Sequence, residues 1–154
     1  MEYEYAYKVT NLDEYLAYLN ANFKYVEEYE ERRTIYRNPN NTNARITYKK
    51  GKMTLDFKEN KLSNEDLIVR KESKAIVFDD LDACEDILSF LGYNKDNSML
   101  RNRIIYTGDN IKFEIDKYIE PEEAYVFSFE GDKDICDKVN EDLKELNNKY
   151  KKED

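Results

Sequence analysis

The sequence predicts an α+β protein dominated by antiparallel sheet, and three features of the chain predict it. Several segments alternate apolar and polar residues, which is the pattern of half-buried strands. Three other stretches repeat apolar residues every three or four positions, as amphipathic helices do. Short turns rich in Gly, Pro or Asn separate neighbouring strands and indicate hairpins. With 154 residues the chain has the length of one domain, and we expect residues 1–154 to form it.

The first half is predicted to contain a strand, a helix and then a series of strands. Residues 2–9 alternate strictly, with three Tyr and a Val on one face. Asn11 is the expected N-cap of the helix LDEYLAYLNANF, and residues 24–37 form the next strand. The turn RNPNNTN precedes a hairpin, in which ARITYKK and MTLDFKE meet at Gly51. Alternation in DLIVRKE predicts one more strand over residues 66–72.

The second half is predicted to contain a helix, three consecutive strands and a final helix. The first helix follows Asp79 and Asp80 and stops at Gly92. Its apolar face consists of Leu81, Cys84, Ile87, Leu88 and Leu91. The strands cover residues 101–107, 111–118 and 124–130. The last helix begins after Asp132, and its Lys-rich end suits the helix dipole.

Composition excludes several classes of function. The chain has no His, which removes His-based general bases and serine or cysteine triads. It has four Gly and neither GxGxxG nor GxxxxGK[ST], so any bound phosphate must be contacted by side chains. A net charge of −9 argues against a surface for duplex nucleic acid. No apolar run is long enough for a membrane span and Cys is scarce, so we expect a cytoplasmic protein without a membrane partner.

The second face of nearly every predicted strand carries charged residues, often of both signs. An ordinary sheet with one wet face explains this pattern, and periodicity alone favours that interpretation. The alternative is a sheet that curls until its charged faces look inward. Its interior would then offer cations for phosphate oxygens and carboxylates for a divalent metal ion.

Several motifs, in their order along residues 2–131, make the chain similar to the CYTH, or triphosphate-tunnel, superfamily. EYEYAYK resembles the opening strand HxExExK of that family, and ARIT and TLDFK resemble its LRIR and TLK strands. VRKES, RNRIIY, FEID and YVFSFEG resemble its later strands. The superfamily includes class IV adenylyl cyclases and thiamine triphosphatases. The resemblance implies an antiparallel β-barrel, or tunnel, of about eight strands with flanking helices.

The resemblance also implies roles for individual residues. Glu4 and Lys8 would be catalytic. The phosphate-binding residues would be Lys8, Arg45, Lys58, Arg70, Arg101 and Arg103. Glu4, Asp116 and Glu130 would hold Mg²⁺ or Mn²⁺, with Asp56, Glu72 and Glu114 as substitutes. Ala6 and Ser128 stand where the family pattern has carboxylates, which weakens the expected metal site.

These residues lead to three alternative functions. The first is a metal-dependent enzyme that hydrolyses, or cyclises, a nucleotide or another organic polyphosphate. The second is a binder without turnover that senses or withdraws such a ligand. The third is an acidic protein that inhibits a basic protein partner through its surface charge.

Overall fold

The computed structural model describes residues 2–60 and 67–152, and this part of the chain contains nine strands and four helices. The strands are β1 (Glu2–Val9), β2 (Lys24–Arg37), β3 (Thr42–Lys49), β4 (Lys52–Glu59), β5 (Leu67–Arg70), β6 (Ile76–Phe78), β7 (Asn94–Gly108), β8 (Ile111–Glu120) and β9 (Ala124–Gly131). The helices are α1 (Asp13–Asn22), α2 (Leu81–Phe90), α3 (Lys133–Asp142) and α4 (Lys144–Tyr150). The predicted α+β class is confirmed, and Asp66 of the predicted strand 66–72 lies outside the described residues.

All the strands belong to one antiparallel sheet in the order β5-β1-β9-β8-β7-β2-β3-β4-β6. The two edge strands, β5 and β6, are close in sequence, and the segment between them runs from one edge of the sheet to the other. On the way it bonds to β4: the Glu59 N–H donates to the Lys71 carbonyl over 3.0 Å, and the Ser73 N–H donates to the Phe57 carbonyl over 2.8 Å. The sheet is thereby curled into a tunnel, as the curled-sheet alternative predicts.

The apolar faces of the strands point outward and are covered by helices. Helices α1, α3 and α4 pack on β1, β7, β8 and β9, where aromatic residues such as Tyr7, Phe113 and Phe127 are fully buried. The predicted N-cap of α1, Asn11, is wrong by one residue, because the N-cap is Leu12, which makes no side-chain capping bond. Asn11 lies just before it, and its Oδ1 accepts a hydrogen bond from the Asp13 N–H over 2.8 Å. The helices therefore leave only the charged faces to line the interior.

Helix α2 covers the other side of the tunnel, on β2, β3 and β4. Asp80 caps it, accepting a bond from the Ala83 N–H over 3.0 Å. Only Cys84 and Leu88 of its five predicted core residues are buried. Leu81, Ile87 and Leu91 are exposed, so the prediction that all five form one face packed on the protein is wrong for these three. A single row of the helix, at i and i+4, faces the sheet.

Two element boundaries differ from the predictions because they depend on distant contacts. Strand β7 begins at Asn94 instead of Arg101, because its first residues pair with the far end of β2, where Arg37 lies opposite Asn94. The C-terminal helix is divided at Leu143, which is completely buried where α3 ends and α4 begins. None of the helices in the described ranges has the length and apolar character needed to cross a membrane.

Candidate functional site

The inner faces of the strands enclose a cavity of ≈ 700 Å³, which is within the usual range for small-molecule sites. Among the described residues its lining contains ten cations and seven carboxylates, a formal net charge of +3, whereas the whole chain carries −9. The cations are Arg33, Arg45, Lys49, Lys50, Lys52, Lys58, Arg70, Arg101, Arg103 and Lys112. The carboxylates are those of Glu4, Glu31, Asp56, Glu72, Glu114, Asp116 and Glu130. The interior is therefore positive inside an acidic protein.

Every buried polar or charged residue in the described part of the chain lines this cavity. They are Glu31, Arg45, Thr47, Lys58, Arg101, Arg103, Asp116 and Ser128, each 2–8% exposed. Charges removed from water destabilise a fold by several kcal/mol each unless they are paired and hydrogen-bonded. The burial of so many charged residues is typical of a binding site and not of a solvent-exposed sheet face.

Arg103 lies at the centre of the most buried ion-pair network. It faces Asp116 directly in the β7–β8 register and makes a bidentate contact with it, at 2.7 Å from Nε and 2.9 Å from Nη2. Its Nη1 donates to Glu114 over 2.5 Å. Burial alone would lower the pKa of Arg103, but Glu114 and Asp116 raise it well above its ordinary value. Arg103 is therefore a permanent cation.

A second network joins Arg101 to Glu31, a carboxylate of β2. Arg101 Nε donates to Glu31 over 2.7 Å, and Nη1 donates to the Tyr118 hydroxyl over 2.7 Å. Arg101 Nη2 lies 2.5 Å from the same Glu31 oxygen but is not aligned for a hydrogen bond. One donor of this guanidinium is thus buried close to an anion without bonding to it.

A third network, near β4, involves Glu72, which lies on the segment between β5 and β6 and forms a β-bridge with Lys58. Arg45 makes a bidentate contact with Asp56, opposite it in the β3–β4 register, and its Nη2 also donates to Glu72 over 2.6 Å. Lys58 Nζ lies 3.4 Å from Glu72 and 3.8 Å from Glu4. A single carboxylate of the segment that bonds to β4 therefore contacts two interior cations, Arg45 and Lys58.

Arg33, on β2, differs from these arginines. Its Nε donates to the Thr47 hydroxyl over 3.0 Å, and no carboxylate of the described residues lies within ion-pair distance. It lies inside the tunnel, and part of its side chain is accessible from the cavity. Burial, and then the nearby Arg101 and Arg45, lower the pKa of Arg33 to about 10, so it remains charged at neutral pH. Such a cation is a strong site for an anion.

Three carboxylates come together at another part of the wall. Glu4, Glu114 and Glu130 each offer an oxygen, and these oxygens all lie within 4.8 Å of one another. Carboxylate oxygens are the ligands that Mg²⁺ and Mn²⁺ prefer, so among the described residues these three side chains are the group that could hold such an ion. Asp116, which the sequence predicts as a ligand, is not in this group and is bonded bidentately by Arg103, while Glu114 accepts one hydrogen bond from the same arginine.

Eleven of the twelve residues named from the sequence line the cavity, and Lys8 does not. The eleven are Glu4, Arg45, Asp56, Lys58, Arg70, Glu72, Arg101, Arg103, Glu114, Asp116 and Glu130. Lys8 follows Glu4 and Ala6 on the same face of β1 but is exposed. Its catalytic and phosphate-binding roles remain predictions. Ala6 and Ser128 lie directly opposite each other in the β1–β9 register, so the two missing carboxylates belong to one place on the wall.

The sequence interpretation missed the contribution of β2. Tyr29, Glu31 and Arg33 alternate along it and all three line the cavity. This alternation could have shown that the three residues share a face, but the other charged residues of β2, between and beside them, obscured the pattern. Three lysines to which the sequence prediction assigned no role also line the cavity: Lys49 Nζ lies 4.3 Å and Lys50 Nζ 5.2 Å from the centroid of the Tyr29 ring, and Lys112 is the third. The part of the lining around Tyr29 is thus cationic as well.

The burial of Glu114 predicts a specific loss of stability in acid. Burial alone would raise its pKa, but the attraction of Arg103, and then Lys112, lowers it from 4.5 to about 2. A carboxylate whose pKa is lowered in the folded state stabilises the protein above pH 4.5, and this contribution is lost as the pH falls through 2. By pH 3 we expect on the order of 2 kcal/mol of the free energy of unfolding to be lost.

Urea unfolding at pH 6 and at pH 3 measures this loss, and Glu114→Gln should show a smaller difference because Gln does not titrate. Glu141→Gln, which changes an exposed residue of α3, is the matched control and should behave as the unaltered protein does. An unchanged pH dependence in Glu114→Gln would contradict the assignment.

Comparison with known proteins supports the architecture. No family model matches the chain, and no curated protein matches it. Among solved structures, the PH1012 protein of Pyrococcus horikoshii is similar with a TM-score of 0.71 and 16% identity, over 96% of this chain and 88% of that one. HpAC1 from Hippeastrum, which has a dominant triphosphatase activity, is similar with a TM-score of 0.70 and 12% identity, over 98% and 90%.

A chain of the Mediator head module of Schizosaccharomyces pombe is similar too, with a TM-score of 0.64 and 10% identity, over 96% of this chain and 94% of that one. Identities this low establish a common fold and not a common activity. The chain therefore shares its fold with the PH1012 protein and with HpAC1, which agrees with the CYTH-like fold that the order of its sequence motifs predicts.

Proposed function

We propose that this protein binds an organic polyphosphate, such as a nucleoside triphosphate, inside the tunnel. The observation that carries the proposal is Arg33, an enclosed cation without a carboxylate partner among the described residues, surrounded by the further cations Arg45, Arg101 and Arg103. A polyphosphate supplies several negative charges along one chain and would neutralise this excess. The net positive lining inside an acidic protein supports the same ligand class.

A bound polyphosphate must compete with the interior carboxylates, and Glu72 is the one best placed to yield. Its side chain is the most exposed of those in the Arg45 network, and it lies on the segment between β5 and β6. Asp56 and Asp116, by contrast, are held bidentately by arginines directly opposite them. We therefore expect phosphate oxygens to replace Glu72 at Arg45 and Lys58 while the deeper pairs persist.

Isothermal titration calorimetry tests the binding. Tripolyphosphate and ATP should both bind, and orthophosphate should bind far more weakly because it reaches fewer cations. Affinity should fall steeply with added salt, since each phosphate contact is electrostatic. Equal affinity for orthophosphate and tripolyphosphate, or no heat from either, would overturn the proposal.

We further propose that the bound triphosphate is hydrolysed with Mg²⁺ or Mn²⁺. Glu4, Glu114 and Glu130 would hold the ion, which would neutralise the developing charge on the phosphate oxygens. Arg33 and Arg45 would orient the rest of the phosphate chain. The triphosphatase activity of HpAC1, a protein of similar fold, supports this chemistry.

Phosphate release from tripolyphosphate or ATP measures this activity, and EDTA should abolish it. Glu130→Gln should reduce the rate by at least about tenfold, because it removes one of three anionic ligands. Glu122→Gln, in the exposed turn between β8 and β9, is the control and should keep the full rate. A rate that is independent of metal and insensitive to Glu130 would contradict this role.

A binder without turnover is the second candidate, and a particular feature favours it. Ala6 and Ser128 face each other where the family resemblance implies carboxylates, so this wall offers fewer anionic ligands for metal. Tight binding of ATP in calorimetry with no phosphate release in the presence of Mg²⁺ or Mn²⁺ would select this function.

A further inference from the structure

The exposed apolar residues of the protein are concentrated around α2. Eleven large hydrophobic residues of the described chain are exposed, and six of them lie within residues 76–91. They are Ile76, Val77, Leu81, Ile87, Phe90 and Leu91. Single exposed apolar residues are ordinary, but a concentration of this kind marks an interaction surface.

Three of these residues form a continuous strip on the helix. Ile87, Phe90 and Leu91 are spaced at i, i+3 and i+4, so they lie on one side of α2 and its end. Phe90 is 93% exposed, Ile87 60% and Leu91 61%. We call these three residues the α2 apolar strip. Because Cys84 and Leu88 already hold the helix on the sheet, the fold does not need the strip.

The surroundings of the strip are acidic. Residues 79–91 contain five carboxylates and no Lys or Arg. Asp82 and Asp86 are exposed and lie on the side of the helix that flanks Phe90. Glu85, on the other side, accepts a hydrogen bond from the Tyr36 hydroxyl over 2.6 Å. The strip is therefore an apolar surface with a negative rim.

This charge distribution decides between two kinds of occupant. A second copy of the chain packed symmetrically through α2 would place two acidic rims against each other, which is unfavourable. A segment of another protein that carries apolar anchors flanked by Lys or Arg would match both the strip and its rim. We propose that the α2 apolar strip is a docking surface for a basic amphipathic helix of a different protein, separate from the tunnel and independent of its ligand.

The test uses a synthetic helical peptide of about 20 residues with Leu on one face and Lys on the other, and a matched peptide with Glu in place of Lys. Fluorescence anisotropy should show binding of the Leu/Lys peptide and little of the Leu/Glu peptide. The variant Ile87→Ser/Phe90→Ser should bind the Leu/Lys peptide at least about tenfold more weakly. Both residues are exposed, so the variant should fold normally.

The control variant is Tyr48→Ser/Ile119→Ser, which removes two exposed apolar residues of the sheet and should bind the peptide unchanged. Equal loss in both variants, or none in either, would overturn the proposal, as would equal binding of the two peptides. Light scattering that shows a dimer in the unaltered protein and a monomer in Ile87→Ser/Phe90→Ser would also overturn it, by assigning the strip to a second copy. Tripolyphosphate binding should be the same in all these proteins, so failure here is distinguishable from failure of the tunnel.

Discussion

Replacing Arg33 by Gln should weaken the binding of tripolyphosphate by about 10- to 100-fold, because a hydrogen bond to a charged group contributes about 1.5–3 kcal/mol. The same change should leave the free energy of unfolding unaltered or slightly higher. Arg33 has no carboxylate partner among the described residues, and the nearby arginines repel it. A substitution that weakens binding while sparing stability is characteristic of a residue retained for function.

Calorimetry and urea unfolding of the same preparation measure both effects. Arg32→Gln is the matched control, because Arg32 is the adjacent residue on the opposite face of β2 and pairs with exposed Glu120 over 2.7 Å. It should bind tripolyphosphate as the unaltered protein does. Glu72→Gln should have the opposite sign and raise the affinity, since it removes the carboxylate that competes for Arg45. Equal effects of Arg32→Gln and Arg33→Gln would refute the assignment.

Replacing Arg103 by Met should lower the free energy of unfolding by about 3–5 kcal/mol, which is the usual result of removing one partner of a buried ion pair. Asp116 and Glu114 would lose their shortest ion pairs and keep only the longer contacts with Arg101, at 3.5 Å, and Lys112, at 3.9 Å. Met is shorter than Arg but similar in volume, so the loss would come from charge and not from a large cavity. Arg37→Met, which breaks the exposed pair with Asp96, should cost less than about 1 kcal/mol.

A combined variant separates the cost of unpaired charge from the cost of altered packing. When Asp116→Asn and Glu114→Gln are added to Arg103→Met, no buried carboxylate is left unpaired at this point, and most of the lost stability should return. Chemical unfolding of the unaltered protein, Arg37→Met, Arg103→Met and the combined variant measures this recovery. If the combined variant is as unstable as Arg103→Met alone, the network does not stabilise the fold through charge pairing.

The amino-acid sequence alone determined the elements of the sheet and the face to which most site residues belong. Alternation is a local property, so the strand face to which Glu4, Arg45 and Arg103 belong could be predicted from their own strands, although not that this face points inward. The outward rows of Tyr and Phe were predictable for the same reason. A local pattern identified the N-cap at Asp80 as well, because its capping bond spans only three residues, whereas the N-cap of α1 is Leu12 and not the predicted Asn11.

Only the tertiary structure decided which charges meet. The pairing of Arg103 with both Asp116 and Glu114, and the position of Glu114 beside Glu4 and Glu130, depend on the register of β8 between β7 and β9. That no carboxylate of residues 2–60 and 67–152 pairs with Arg33 is likewise a property of the curled sheet and not of β2. Periodicity specifies a face but not a neighbour, since register and curvature arise from contacts between residues far apart in sequence. The charged interior was thus predictable as a set of residues, and its division into paired cations, a carboxylate cluster and one unpaired arginine was not.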